Sequence, residues 1–267
     1  MTQTIREIFK DIEEKKKTIE FLPTGFRQLD TALSGGFLRK ELVVLGGGTG
    51  IGKSYMSGQM FYNIARSGFM CAYFSLEISN SMVVSRLVGS QADIKSIKIV
   101  TGDLTDAETK RKKLVETKMS VFEKNMAFYD DMYLYEDIEK EIREHGYEFV
   151  VVDFIQNVML TGMDEYSRLS FIALSLQKLA KEMNCCILIL SQLSNSVSRA
   201  PGAVEYKGSG SIATVCDLGF FIERGETLDG LVPSSELKLK LRKNRRGTSG
   251  LVFDYQFTGL GGHINES

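Results

Sequence analysis

The chain has 267 residues, 43% hydrophobic and 25% charged, enough to bury one α/β core of ordinary composition with at most a small appendage. A formal net charge of −1 excludes an overall basic field, so any nucleic-acid contact must come from a local patch. Cys71, Cys185, Cys186 and Cys216 show no C-x-x-C spacing and only His145 and His263 stand beside them, which argues against zinc and for buried reduced thiols in a cytosolic protein. No apolar run approaches the roughly 20 residues a bilayer requires, and the first residues lack the hydrophobic block of a secretory signal.

Taken in order, Thr4-Ile5-Arg6-Glu7 reads as a capping box opening a helix with Ile5, Ile8, Phe9 and Ile12 on one face. A helix with so narrow a stripe packs on its own domain or docks on a neighbouring subunit, and both readings stay open here. After Pro23 and Gly25 the compact domain begins. Its buried strands are predicted at Leu42 to Leu45, Cys71 to Phe74, Phe149 to Val152 and Cys186 to Leu190, because these runs are apolar throughout rather than alternating. Helical spacing between them predicts an α/β fold with a mainly parallel twisted sheet covered by helices on both faces. Further on the pattern changes. Glu236 to Arg242 alternates leucine with mostly cations, Leu251, Phe253, Tyr255 and Phe257 alternate likewise, and Arg245 to Gly250 between them is rich in turn formers. This predicts a C-terminal β-hairpin with a basic tip.

Gly47-Gly48-Thr49-Gly50-Ile51-Gly52-Lys53-Ser54 fits G-x-x-x-x-G-K-[ST] between a predicted strand and a predicted helix, the context that makes the pattern a phosphate site. The glycines let backbone N–H groups converge on phosphate oxygens, and the helix N-terminus favours the anion. Lys53 is placed to bridge the β- and γ-phosphates of ATP, and the Ser54 hydroxyl to ligate Mg2+. Asp153 closes a hydrophobic strand where open α/β sheets hold their ligands and is the candidate second acid for the metal. Glu77, beyond another strand, is the candidate for polarising the attacking water, against the alternative of a solvated loop carboxylate. Gln192 is placed to hydrogen-bond the γ-phosphate, with a similar alternative.

Beyond these single sites, the chain resembles the C-terminal RecA-like ATPase domain of DnaB-family replicative helicases from about residue 20 to 258. The likeness rests on Pro23-Thr24-Gly25-Phe26 with Leu29-Asp30, on Phe74-Ser75-Leu76-Glu77, and on Thr101-Gly102-Asp103-Leu104-Thr105-Asp106. It continues through Ser191-Gln192-Leu193, Ser209-Gly210-Ser211-Ile212 and Lys243-Asn244-Arg245-Arg246-Gly247. The resemblance implies that Glu77 is the catalytic glutamate, Gln192 the γ-phosphate sensor, Arg245 an arginine finger and Lys243 its companion, both reaching a neighbour's nucleotide. It also implies that Ser194 to Ile212 is a DNA-binding loop facing a central channel, with Lys207, Gly208 and Gly210 at the contacting positions. Here the chain departs from the family pattern, since lysine stands at 207 where arginine is commoner and glycine at 208 where glutamate is.

The resemblance further implies an ATP-dependent DNA helicase, a hexameric ring moving 5′ to 3′ on single-stranded DNA and displacing the other strand, in contact with a primase and a helicase loader. Residues 1–20 would be a linker-type helix and 21–267 the ATPase domain. Relatives carry an N-terminal collar, so this chain reads as an excised domain or a compact phage or plasmid version, cytoplasmic in the bacterium or the infected host. Two rivals stand beside this reading: a RadA-like recombination ATPase, which shares a Lys-Asn-Arg motif but carries further domains, and a KaiC-like nucleotide-dependent interaction module.

Overall fold

The structure, a computed structural model, describes residues 4–16, 20–192, 210–226 and 233–267. Helix α1 (Ile5–Lys16) opens on the expected capping box: the Thr4 N–H donates to Glu7 Oε2 at 2.6 Å and the Glu7 N–H to Thr4 Oγ1 at 3.4 Å. Three residues of its apolar stripe stand open. Ile5, Ile8 and Phe9 are 72%, 43% and 64% exposed, so these three are not covered by the chain's own domain.

Strands β1 (Phe21–Leu22) and β2 (Phe37–Leu38) pair antiparallel as a small ribbon beside the main sheet. The four strands expected from apolar runs form, each slightly longer than its run: β3 (Leu42–Gly47), β4 (Cys71–Ser75), β6 (Phe149–Asp153) and β7 (Cys186–Gln192). Two parallel strands not predicted above add to them, the edge strand β5 (Met126–Tyr129) and β8 (Leu218–Glu226), which opens on the apolar run Leu218 to Ile222. The predicted hairpin is β9 (Pro233–Asn244) with β10 (Val252–Thr258), in a register pairing Leu239 with Phe253 and Leu237 with Tyr255, and β11 (His263–Glu266) comes next. The hairpin is no appendage: β9 pairs antiparallel with β8, giving one nine-stranded sheet ordered β11-β10-β9-β8-β3-β7-β6-β4-β5.

Side-chain alternation explains why the two halves of this sheet look different in sequence. Along β3, Val43 and Leu45 join the core beneath helices α2 (Arg27–Ala32), α3 (Lys53–Arg66), α4 (Asn80–Ala92), α5 (Ser96–Thr101) and α6 (Asp106–Met119). Leu42 and Val44 face α7 (Tyr135–His145), α8 (Glu165–Glu182) and α9 (Gly210–Val215). Both faces are covered, so every position is apolar. In the hairpin Leu237, Leu239, Leu241, Phe253 and Tyr255 all join the first core, whereas Lys238 and Asp254 on the other face are exposed. A half-covered sheet must alternate. On the first face the buried Gln59 of α3 clamps β11, its Nε2 donating to Ile264 O at 2.8 Å and its Oε1 accepting the Ile264 N–H at 3.0 Å. All four cysteines are buried and free, as their spacing predicts.

Candidate functional site

Parallel pairing aligns the strand ends, and the chemistry collects at the carboxyl edge. Gly47 is level with Gln192 across β3 and β7, and Ser75 is level with Asp153 across β4 and β6. The loop from Gly47 to Gly52 turns β3 into α3, with Gly50 at φ +73 and Gly52 at φ +111. Gly52 is doubly constrained, since a Cβ there would stand 2.4 Å from the Phe257 ring. No side chain caps α3, whose first N–H groups are thereby left for an anion. Lys53 folds back into its own loop, donating to Gly47 O at 3.0 Å and Gly48 O at 2.6 Å. Burial holds its ammonium below the usual lysine range, while Asp153 and Glu77 pull the other way. A buried cation seated beside an uncapped helix start fits a polyphosphate.

Asp153 is 2% exposed and its Oδ2 accepts from the Tyr73 hydroxyl at 2.8 Å, with Ser57 Oγ 3.1 Å from that hydroxyl. Burial raises the Asp153 carboxyl above the ordinary aspartate range; the Tyr73 and Ser54 hydroxyls and Lys53 offset part of this, and Glu77 adds to it. Hydroxyl and carboxylate oxygens side by side are the donor set a hard cation such as Mg2+ takes. Glu77 is exposed, two residues past β4, on a turn held by the Leu76 N–H to Asp153 O (2.8 Å) and by Asn157 Nδ2 to Leu76 O (2.8 Å). Gln156 steadies Gln192 by donating to Ser191 Oγ at 3.0 Å and accepting the Gln192 N–H at 3.4 Å. Lys53, Ser54, Glu77, Asp153 and Gln192 line one cleft of about 500 Å3.

Four further side chains of this cleft carry no signal of their role in the sequence. The Arg224 guanidinium lies 4.4 Å over the Phe257 ring, Tyr55 meets Phe257 edge-on at 5.8 Å, and Arg86 lies 5.2 Å over Tyr55. A flat ring backed by a cation is a surface on which a nucleobase stacks. Phe257 is legible only as an alternating hairpin residue, and Arg224 lies past the apolar run of an unpredicted strand.

At the basic tip the cations are held by their own chain. Arg246 pairs with buried Glu41 at 2.9 Å and donates to Leu33 O and Gly36 O. Lys243 Nζ donates to Ala213 O (2.8 Å) and Thr214 O (2.6 Å), and burial holds it below the usual lysine range. Arg245 donates to Asp217 Oδ1 at 2.8 Å and Thr214 O at 3.1 Å. Neither Lys243 nor Arg245 lines the cleft. Lys207 and Gly208 lie outside the described residues, and Gly210 begins α9.

Residues 22–259 match the model of the DnaB-like helicase C terminal domain. The chain is 28% identical over 247 residues to the replicative DNA helicase DnaB of Geobacillus stearothermophilus, covering 86% of this chain and 53% of that protein. It is 29% identical over 263 residues to a probable plasmid replicative DNA helicase of Chlamydia trachomatis, covering 91% and 55%. It thus spans about half the length of the curated relatives it matches. Among solved structures, an isolated ATPase domain superposes with a TM-score of 0.87 over the whole of both chains at 21% identity. A KaiC-like protein from Pyrococcus horikoshii superposes at 0.63 with 17% identity, covering 93% of this chain and 99% of that one, so the RecA-like fold is shared widely. By its sequence model, this chain belongs to the DnaB-like helicase C-terminal domain family.

Proposed function

We propose that this chain is the ATP-hydrolysing motor of a replicative DNA helicase, working in the cytoplasm as a hexameric ring on single-stranded DNA. Lys53 and the N–H groups of the Gly47–Ser54 loop hold the β- and γ-phosphates. Ser54 and Asp153 are the residues to hold Mg2+, which when bound neutralises phosphate charge. Glu77 orients and deprotonates the attacking water, Gln192 hydrogen-bonds the γ-phosphate, and the Phe257 ring carries the base. Arg245 and Lys243 stabilise charge on the transferring phosphoryl group of the adjacent subunit. Lys207, Gly208 and Gly210 grip strand phosphates without reading sequence. α1, with its uncovered stripe, docks on a neighbour. Primase and loader are the expected partners; one solved DnaB-like replicative helicase, at a TM-score of 0.83 and 21% identity and covering 99% of this chain and 67% of that one, is described with its primase interactions.

The observation that carries this reading is the separation of the two cation sets. Lys53 stands in the cleft at the carboxyl edge of β3, whereas Arg245 bonds to Asp217, whose N–H donates to the carbonyl of Leu42 at the start of β3. A head-to-tail contact that closes by rotation brings one subunit's Arg245 to the next subunit's Lys53. The test is hydrolysis per chain, measured against protein concentration and oligo-dT, with native mass measurement of the assembled species. The rate rises with both if the reading is right, and a rate independent of both refutes the ring.

A further inference from the structure

Asp217 carries no motif in the sequence, yet it ties three elements together. Its Oδ2 accepts the N–H of Leu42 at 3.0 Å, its Oδ1 accepts Arg245 Nη1 at 2.8 Å, its own N–H donates to Leu42 O at 2.8 Å, and its carbonyl accepts the Arg245 N–H at 3.0 Å. One carboxylate oxygen is thus fixed on the first residue of β3, and the other holds the guanidinium. Leu42 is fully buried, so the carboxylate cannot turn away without stranding a buried backbone donor. The Arg245 side chain remains 46% exposed while that of Asp217 is 14% exposed. Asp217 and Thr214 take two of the guanidinium's N–H donors, which leaves others for a ligand from outside the chain. An arginine left to its own rotamers would sample many orientations; this one is held at backbone and side chain together.

We propose that Asp217 is a positioning residue for catalysis in the neighbouring subunit, presenting the Arg245 guanidinium to that subunit's phosphates through a carboxylate anchored on the Leu42 N–H. The inference rests on the reading of Arg245 as a cation supplied in trans. It adds that the anchor of this cation is β3, the strand that ends in the same chain's phosphate loop.

The test is a mixing experiment on chains assembled with ATP and oligo-dT. Asp217→Asn keeps an oxygen for the Leu42 N–H but loses the charge that orients Arg245. Alone it should assemble and bind nucleotide like the unaltered chain while turning over on the order of 10²-fold more slowly, the loss expected of a displaced catalytic group. Mixed with Lys53→Ala, which has a dead phosphate loop and an intact Asp217–Arg245 pair, it should regain activity, because its own phosphate loops then meet well-held arginines. A role in folding alone would not be rescued this way. Asp217→Glu, which keeps the charge one methylene further out, is the second variant and should fall between, guarding against an unfolded Asn form. Wild-type turnover in both variants overturns the inference. So does a slow Asp217→Asn that Lys53→Ala fails to rescue while Arg245→Ala mixed with Lys53→Ala does regain activity. If that last pair also fails, the reading of Arg245 as a trans cation falls, and this inference with it.

Discussion

Lys53 and Arg245 occupy opposite ends of one continuous sheet. Gly47 lies beside Ile222, which pairs with Leu239, and Arg245 comes six residues further along the chain from Leu239. One of those six is taken up by the bulge opposite Gly219 and Phe220, so at roughly 3.3 Å per residue Gly47 and Arg245 are separated by about 16 Å of strand, more than an arginine spans. The antiparallel pairing of β9 with β8 makes this separation, because β9 runs back to the amino edge of β3 before Arg245 is reached.

Arg245→Ala should therefore spare nucleotide binding by an isolated chain and slow hydrolysis in an assembled one. A cation of this kind is worth roughly 10³–10⁵ in turnover. Equilibrium binding of a fluorescent nucleotide, beside steady-state hydrolysis at concentrations where assembly is verified, checks both halves.

Glu77→Gln removes the carboxylate while keeping the shape of the turn held by Asn157. Turnover should fall by roughly 10²–10⁴, the usual worth of a positioned base, with ATP affinity unchanged. Single-turnover hydrolysis on pre-bound ATP is the measurement; an unimpaired rate would remove Glu77 from the mechanism.

Phe257→Leu keeps a side chain against Gly52 but removes the flat ring. Losing a base stack costs about 1–3 kcal/mol, so ATP should bind roughly 5- to 150-fold more weakly. Inorganic triphosphate, which has no base, should bind as before. Calorimetry with the two ligands separates a base platform from general damage to the loop.

Tyr73→Phe removes the hydroxyl that donates to Asp153 Oδ2. A hydrogen bond to a charged group contributes about 1.5–3 kcal/mol, and its loss should lower the unfolding free energy by an amount of that order. The pH effect has a definite sign. That hydroxyl lowers the Asp153 pKa against burial, so without it the carboxylate ionises at higher pH. The acid limb of the rate profile should move to higher pH, with the plateau retained.

Glu108 should contribute a separate acid transition. Its carboxylate accepts Lys98 Nζ at 2.6 Å on both oxygens and the Thr105 N–H at 2.8 Å, and these contacts, the Lys98 hydrogen bond foremost, hold its pKa down to about 2 from 4.5. A depressed pKa stabilises the fold above the unfolded value and stops doing so as pH falls through the folded one. Stability should therefore decline between about pH 4.5 and 2, and Glu108→Gln should flatten that decline in melting curves taken across the range.

The phosphate loop is legible in the sequence because its chemistry is local: glycines, lysine and hydroxyl act at fixed spacing on one turn. The four central strands are legible because burial on both faces leaves no room for polar residues, and the hairpin because Leu237, Leu239 and Leu241 share one covered face. Asp217, Arg224, Arg86 and Phe257 are not. Their roles depend on β8 lying next to β3 despite a separation of more than 170 residues, and on Phe257 folding back over Gly52. Neither neighbourhood leaves a local pattern. The intrachain partners of the cations at the hairpin tip are not legible for the same reason, since Glu41, Thr214 and Asp217 reach them only through tertiary packing.

The Gln59 amide stands in for a peptide unit between α3 and β11, giving and taking one hydrogen bond with Ile264. The helix that starts at Lys53 is in this way fastened to the final residues of the chain, at a point six positions beyond the lysine. A handle fused after Ser267 pulls first on β10, through Ser267 and Asp254, and on α2, through Glu266 and Gln28, and reaches the phosphate helix through Ile264 and Gln59. One attached ahead of α1, whose Ile5, Ile8 and Phe9 are exposed, has no such route to the helix.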